Sequence, residues 1–257
     1  LVARLAAGEL GRCQLLEYGV SAEENERLGL PCGGRLEILV EPLAPGDIDH
    51  VSELLDAVAA RRYLQRQVDI ESGEAQLQAA QGYAPLSFDK GNLTQIFGPR
   101  YRMLLVGAGA LSKTLSELAS AMDYQVMVCD PRADALERWD GAAVRRIGGM
   151  PDDAVREFAV DPDSIVLTLT HDPRIDDMAL MEALQHDLFY IGALGSPRTT
   201  AARLQRLRAL DLDETQLARL HAPVGLAIGS KTPMEISIAI LAELTQLRSE
   251  RRLAALK

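Results

Sequence analysis

Three glycine-bearing turns constrain this chain most, because each stands between an apolar run and a helix-forming stretch. They are Gly107-Ala108-Gly109, Gly192-Ala193-Leu194-Gly195-Ser196-Pro197-Arg198, and Gly225-Leu226-Ala227-Ile228-Gly229-Ser230-Lys231-Thr232-Pro233. From Tyr101 onward, short apolar runs alternate with amphipathic stretches. Met103 to Val106, Gln125 to Cys129, Ile165 to Leu169 and Phe189 to Ile191 read as strands. Leu111, Leu115, Leu118, Ala119 and Met122 mark one helix face, and further helices are expected near 175–186, 197–210, 213–220 and 233–248. Strands alternating with helices of this length predict an α/β fold with a Rossmann-like, doubly wound parallel sheet. At one edge of such a sheet, helix N-termini present unpaired backbone N–H groups and partial positive charge. Three such ends together would suit a phosphate-bearing ligand.

A smaller α+β domain is expected over residues 1–98, with the Rossmann-like domain over 99–257 and the boundary at Pro99 and Arg100. In the smaller domain, Leu1 to Leu10 reads as a helix and Arg12 to Tyr18 as a strand. A polar stretch and the turn-rich Leu28-Gly29-Leu30-Pro31-Cys32-Gly33-Gly34 follow. Leu36 to Val40 is a second strand, and Asp47 to Arg61 a helix with Val51, Leu54, Leu55 and Val58 on one face. Tyr63–Ile70 and Ala75–Ala79 flank Glu71-Ser72-Gly73-Glu74 as a hairpin.

The 257 residues are 47% hydrophobic, enough for a substantial core. A net charge of −10 argues against a nucleic-acid or anionic-membrane binder. No apolar run reaches the length that spans a bilayer, and no signal peptide is visible. Three cysteines, Cys13, Cys32 and Cys129, without C-x-x-C spacing fit a reducing cytoplasm. The opening Leu1-Val2-Ala3-Arg4 lacks methionine and reads as the start of a fragment.

Leu104-Leu105-Val106-Gly107-Ala108-Gly109-Ala110-Leu111-Ser112 reads as strand, tight turn and helix. Its first two glycines sit as a dinucleotide fingerprint requires, and Ser112 takes the third glycine's place. Asp130 ends the next strand and would accept hydrogen bonds from a ribose diol; Arg132 would instead favour an extra phosphate. A scaffold that keeps these glycines for packing and binds no nicotinamide fits the turn equally. Ser196-Pro197 and Thr232-Pro233-Met234-Glu235 have the form of helix caps. Each lies beside a basic side chain, Arg198 or Lys231. Thr170-His171-Asp172 follows a strand end, and His221 precedes the last glycine loop. These histidines read as an acid–base pair, as metal ligands with Asp172, or as turn and loop braces.

Taken in order, Leu30-Pro31-Cys32-Gly33-Gly34, Leu105-Val106-Gly107-Ala108-Gly109, Thr170-His171-Asp172, Tyr190-Ile191-Gly192-Ala193-Leu194-Gly195-Ser196 with Arg198-Thr199, and His221-Ala222-Pro223-Val224-Gly225-Leu226 with Ile228-Gly229-Ser230-Lys231-Thr232-Pro233 resemble the XdhC/CoxI family. The resemblance runs from about Gly11 to Leu247. It implies a chaperone that binds molybdenum cofactor, as molybdopterin or a dinucleotide form, and passes it to a molybdenum hydroxylase apoenzyme of the xanthine dehydrogenase type. It also implies a cysteine desulfurase as partner. A homodimer is one open oligomeric state. On this reading Gly107, Gly109, Gly192, Gly195 and Gly229, with Ser196 and Thr232, hold the phosphate, and Arg198 or Lys231 adds charge. Asp130 reads a ribose if a dinucleotide binds, His171 reaches the ligand from a strand end, and Cys32 approaches the metal or a sulfur atom. Two positions depart from the family pattern: Ala110 stands where histidine is frequent, and Ala227 where the last loop usually has aspartate. The family's upstream glycine-cysteine segment is expected before Leu1. The alternatives are an NAD(P)-dependent oxidoreductase, for which no Tyr-x-x-x-Lys pair is present, and a nonbinding maturation adaptor.

Overall fold

The computed structural model describes residues 13–29, 34–43 and 45–256. The expected Leu1–Leu10 helix and Cys32 lie outside the described residues. The chain divides into two compact units, one of Leu1–Pro99 with Arg252–Lys257, the other Arg100–Arg251.

In the first unit, β1 (Gln14–Tyr18) pairs antiparallel with β2 (Leu36–Val40). Between them lies α1 (Ala22–Leu28), in the segment that the sequence marks only as a polar stretch. It buries no residue, so it leaves no apolar period to read; its signal is the cap, where Ser21 accepts from the Glu24 N–H. Next come α2 (Ile48–Ala59) and an antiparallel sheet of β3 (Tyr63–Asp69), β4 (Ala75–Ala80), β5 (Ser87–Asp89) and β6 (Asn92–Phe97), in the order β4-β3-β6-β5. The α2 face differs from expectation by one residue: Leu54 and Ala57 are buried, whereas Leu55 is exposed. The hairpin at Glu71–Glu74 forms as read. The β5–β6 hairpin was not read. Its turn puts Lys90 and Gly91 at positive φ; β5 has only three residues, too few to show a period, and β6 does not alternate in burial.

The second unit alternates as expected. In chain order it runs β7 (Arg102–Val106), α3 (Ala110–Ala121), β8 (Gln125–Cys129), α4 (Ala133–Glu137), β9 (Arg145–Ile147), α5 (Pro151–Phe158) and β10 (Ser164–Thr168). It continues with α6 (Pro173–Ala183), β11 (Tyr190–Ala193), α7 (Pro197–Ala209), α8 (Glu214–Leu217), β12 (Leu220–His221) and α9 (Pro233–Ala254). The sheet is parallel, with order β12-β11-β10-β7-β8-β9. Alternation along each strand sends side chains to two faces. On one face Leu104, Val106, Val166 and Ile191 pack with Val155, Leu180 and Leu207. On the other, Met103, Leu105, Ile165 and Leu167 pack with Leu115, Ile240 and Leu244. With both faces covered, the strands read as continuous apolar runs. That is why the sheet was legible. The three-residue β9, two of them arginine, carries no such run, and α5 is not among the expected helices although Pro151, Ala154, Val155 and Phe158 recur at helical spacing.

Candidate functional site

The strand order reverses between β7 and β10, which start from the centre and lead to opposite edges. Ligands in open α/β sheets bind in the crevice at this point, beyond the carboxyl ends of the strands. Here a cleft of about 940 Å³ opens there, lined by the loops after β7 and β10 and by the start of α9.

The loop after β7 is shaped by two glycines. Gly107 has φ +109°, and an added Cβ would stand 2.7 Å from Thr170 Cγ2. A side chain there would strain the backbone and push the β10 loop away. The turn is fixed by the Gly107 N–H on the Cys129 carbonyl at 2.7 Å and by the Ser112 hydroxyl on the Gly107 carbonyl. Ser112 therefore ties the turn to α3 at the position where the fingerprint has its third glycine. Gly109 differs: nothing lies within 4 Å of where its Cβ would stand. It begins α3 with no side-chain cap, so the first turn of that helix presents its backbone N–H groups unassisted.

Asp130, at the end of β8, is fully buried. Its Oδ2 accepts from the Ala108 N–H at 2.8 Å and from Arg132 Nη2 at 2.7 Å; its Oδ1 accepts from the Arg132 N–H at 3.0 Å and Nε at 2.9 Å. Burial pushes this carboxyl's pKa up. The Arg132 guanidinium and the two backbone N–H groups outweigh it, so the pKa lies below its ordinary value. Asp130, the residue expected to accept from a ribose, has its oxygens on the turn and on Arg132.

The loop after β10 carries Thr170, His171 and Asp172. The Thr170 hydroxyl donates to Asp176 Oδ1 at 2.7 Å and accepts from the Asp172 N–H at 3.0 Å. Asp176 is buried and paired with Arg203 at 3.0 Å, and Arg203 also donates to the Leu194 carbonyl. This buried pair thus fixes the ends of β10 and β11 from beneath. Asp172 caps α6, accepting from the Arg174 N–H, and receives Arg174 Nε and Nη2 at 3.1 and 2.7 Å. These bonds hold the Asp172 carboxyl at about 2. His171 is exposed on the cleft wall.

From the start of α9 and the loop before it come Pro233, Ile236 and Lys231. The Lys231 and Thr232 N–H groups are taken by the Glu235 carboxylate at 2.8 and 2.9 Å, and the Thr232 hydroxyl accepts from the Glu235 N–H. At α7, Ser196 and Thr199 close a capping box. The helix starts expected to converge on a ligand differ in how their N–H groups are used. The α6, α7 and α9 starts satisfy themselves with side chains, while α3 starts uncapped. The later loops supply the cleft with Leu194 and Lys231.

Of the residues expected to bind, Gly107, Gly109, His171 and Lys231 line the cleft. Gly192 lies inside β11, where a Cβ would meet Tyr190, Val224 and Leu167 within 2.8 Å; it is a packing glycine. Gly195 lets the capping box close, since a Cβ would stand 2.6 Å from Thr199 Oγ1. Ser196 and Thr232 act as caps, and Arg198 and Gly229 are exposed residues outside the cleft lining. His221 does not join His171. Its Nδ1 meets Glu243 at 2.7 Å, and its ring stacks on Tyr190, whose hydroxyl donates to the same carboxylate. No group of metal-ligating side chains occurs among the described residues. Burial pushes the Cys129 thiol up to about 12, as befits a core residue. Arg174 was not foreseen; its signal is Asp172-Pro173, which reads as a cap followed by proline at the first helical position.

Residues 103–244 match the family model of the XdhC Rossmann domain. The chain is 30% identical over 177 residues to the Escherichia coli (strain K12) protein named uncharacterized protein YqeB; the match covers 66% of this chain and 32% of that protein. The chain thus spans about a third of that relative's length. It is 24% identical over 243 residues to the molybdenum cofactor insertion chaperone PaoD of the same organism, covering 93% of this chain and 67% of PaoD. A crystal structure of a xanthine dehydrogenase from Bacillus halodurans aligns with a TM-score of 0.76 at 25% identity, over 98% of this chain and 80% of that one. No described helix is long and apolar enough to cross a membrane.

Proposed function

This chain belongs to the XdhC family, and we propose that it binds molybdenum cofactor as cargo in the switch-point cleft and delivers it to a molybdenum hydroxylase in the cytoplasm. The observation that carries the reading is the uncapped start of α3 facing a cleft rimmed by Arg132, Arg174 and Lys231. A backbone free of Cβ at Gly109, N–H groups without partners and three cations suit the phosphate of such a cargo. The volume lies in the range of small-molecule sites, roughly 300–1,000 Å³. Gly109 and the α3 N–H groups would hold the phosphate, with Lys231 adding charge, while His171, Leu194 and Ile236 face the remainder. An accessory role is favoured over hydride transfer because Asp130, the acid a nicotinamide dinucleotide would use, is already saturated. A cysteine desulfurase as second partner follows from the same role, since a delivered cofactor must carry its sulfur.

The test is to incubate the protein with molybdenum cofactor, remove unbound material and measure pterin fluorescence after oxidation. Lys231→Ala is expected to lower retention roughly tenfold, the effect of losing one charge-assisted bond. Arg198→Ala, outside the cleft lining, is expected to leave it unchanged. Client binding without any retained pterin would support the adaptor reading that Ala110 and Ala227 suggest. Tight NADH binding would support the oxidoreductase.

A further inference from the structure

The tripeptide Asp-Pro-Arg occurs twice at this edge of the sheet, as Asp130-Pro131-Arg132 after β8 and as Asp172-Pro173-Arg174 after β10. The two copies have the same internal geometry. In each, the arginine N–H and Nε donate to Oδ1 of the aspartate two residues before, and Nη2 donates to Oδ2 at 2.7 Å. Proline holds the intervening φ near the value that lets the chain turn back on its own carboxylate. In the sheet, β8 and β10 are the two neighbours of β7. The two forks therefore flank the glycine turn and the start of α3, and both arginines line the cleft. They also sense each other: the Arg132 charge helps lower the Asp172 carboxyl.

Each guanidinium has five N–H donors. Nε–H and one Nη2–H are spent on the aspartate, so three remain on the outer side of each fork. The carboxylates behind them supply rigidity, because they fix two long side chains before any ligand arrives. The arginine side chains stay 55% and 89% exposed. The carboxylate of Asp130 has about four acceptor sites, and four donors fill them. No capacity remains for a ribose hydroxyl.

We infer that the paired Asp-Pro-Arg forks form a clamp for a phosphomonoester, so the cleft takes the phosphate-terminated form of its cargo in preference to a dinucleotide form. This rests on the cleft reading above. A phosphomonoester offers three terminal oxygens and nearly two negative charges at neutral pH. Two forks and a helix start match that charge density. In a dinucleotide the same phosphate is joined through an anhydride to a second phosphate, so it offers two free oxygens and one charge in place of three and nearly two, and it brings a ribose that Asp130, with its acceptor sites filled, cannot accept from. Asp130 and Asp172 act as positioning residues; Arg132 and Arg174 touch the phosphate.

The experiment is equilibrium binding of three probes to the full chain: molybdopterin-form molybdenum cofactor, its cytosine dinucleotide form, and the cofactor after phosphatase treatment. The wild type should hold the phosphate form at least roughly tenfold tighter than either other probe. Arg132→Ala and Arg174→Ala should each erase most of that ratio and leave the dephosphorylated probe unchanged. Arg132→Lys and Arg174→Lys keep the charge but lose the fork; they should fall between, with unaltered circular dichroism. Equal binding of the phosphate and dinucleotide forms would overturn the clamp, as would a ratio that survives the double alanine variant. If those results come with cofactor still bound, only the clamp falls. If no probe binds at all, the cleft reading falls with it.

Discussion

Residues of the same chemistry sit in different surroundings in this protein. Asp130 and Asp172 are both carboxylates two residues before an arginine, yet only Asp172 faces the cleft. The Asp172 pKa of about 2 makes a direct prediction. Its folded-state value lies below the unfolded one, near 3.9, so its contribution is complete above that value and is lost as pH falls toward about 2. In a carbon-detected NMR titration, Arg174→Ala should move the Asp172 midpoint up toward the ordinary carboxylate value. An unmoved midpoint would show that Arg174 does not hold it. Residue identity at the site was legible where backbone decides the role, as at Gly107, whose positive φ and contact with Thr170 both demand glycine. It was not legible where side-chain direction decides. The proline in Asp130-Pro131-Arg132 favours the turn, but the order does not say that the guanidinium fills the carboxylate.

At the scale of elements, the helix starts share one sequence signature and divide in function. Caps at Ser196 and Thr232 were readable, but a cap that satisfies its own helix has less to offer a ligand. Ser196→Ala should cost about 1 kcal/mol of stability, as caps do. It should lower the denaturant midpoint while leaving cofactor retention intact. Lost retention at unchanged stability would return Ser196 to the binding site. The strands of the parallel sheet were legible because both faces are buried, as Met103 and Leu104 illustrate on adjacent positions. Helix α1, which buries nothing, and the short β5–β6 hairpin carried no such periodicity. Gly192 was misread as a loop glycine because β11 is only four residues long, and its tail merges with the turn.

For the whole molecule, the decisive feature is topological. Reversal of strand order between β7 and β10 opens the crevice, and the buried Asp176–Arg203 pair, 3.0 Å apart, steadies its far wall through Thr170 and Leu194. Sequence reading reached the fold class through alternation, but strand order depends on which faces the helices cover. Hydrogen–deuterium exchange on the full chain, with and without molybdenum cofactor, locates the bound cargo. Backbone amides over residues 107–112 and 170–174 should exchange more slowly with cofactor present, and those over 195–199 should not change. Protection at 195–199 with residues 107–112 unaffected would place the cargo elsewhere and refute the cleft as its site.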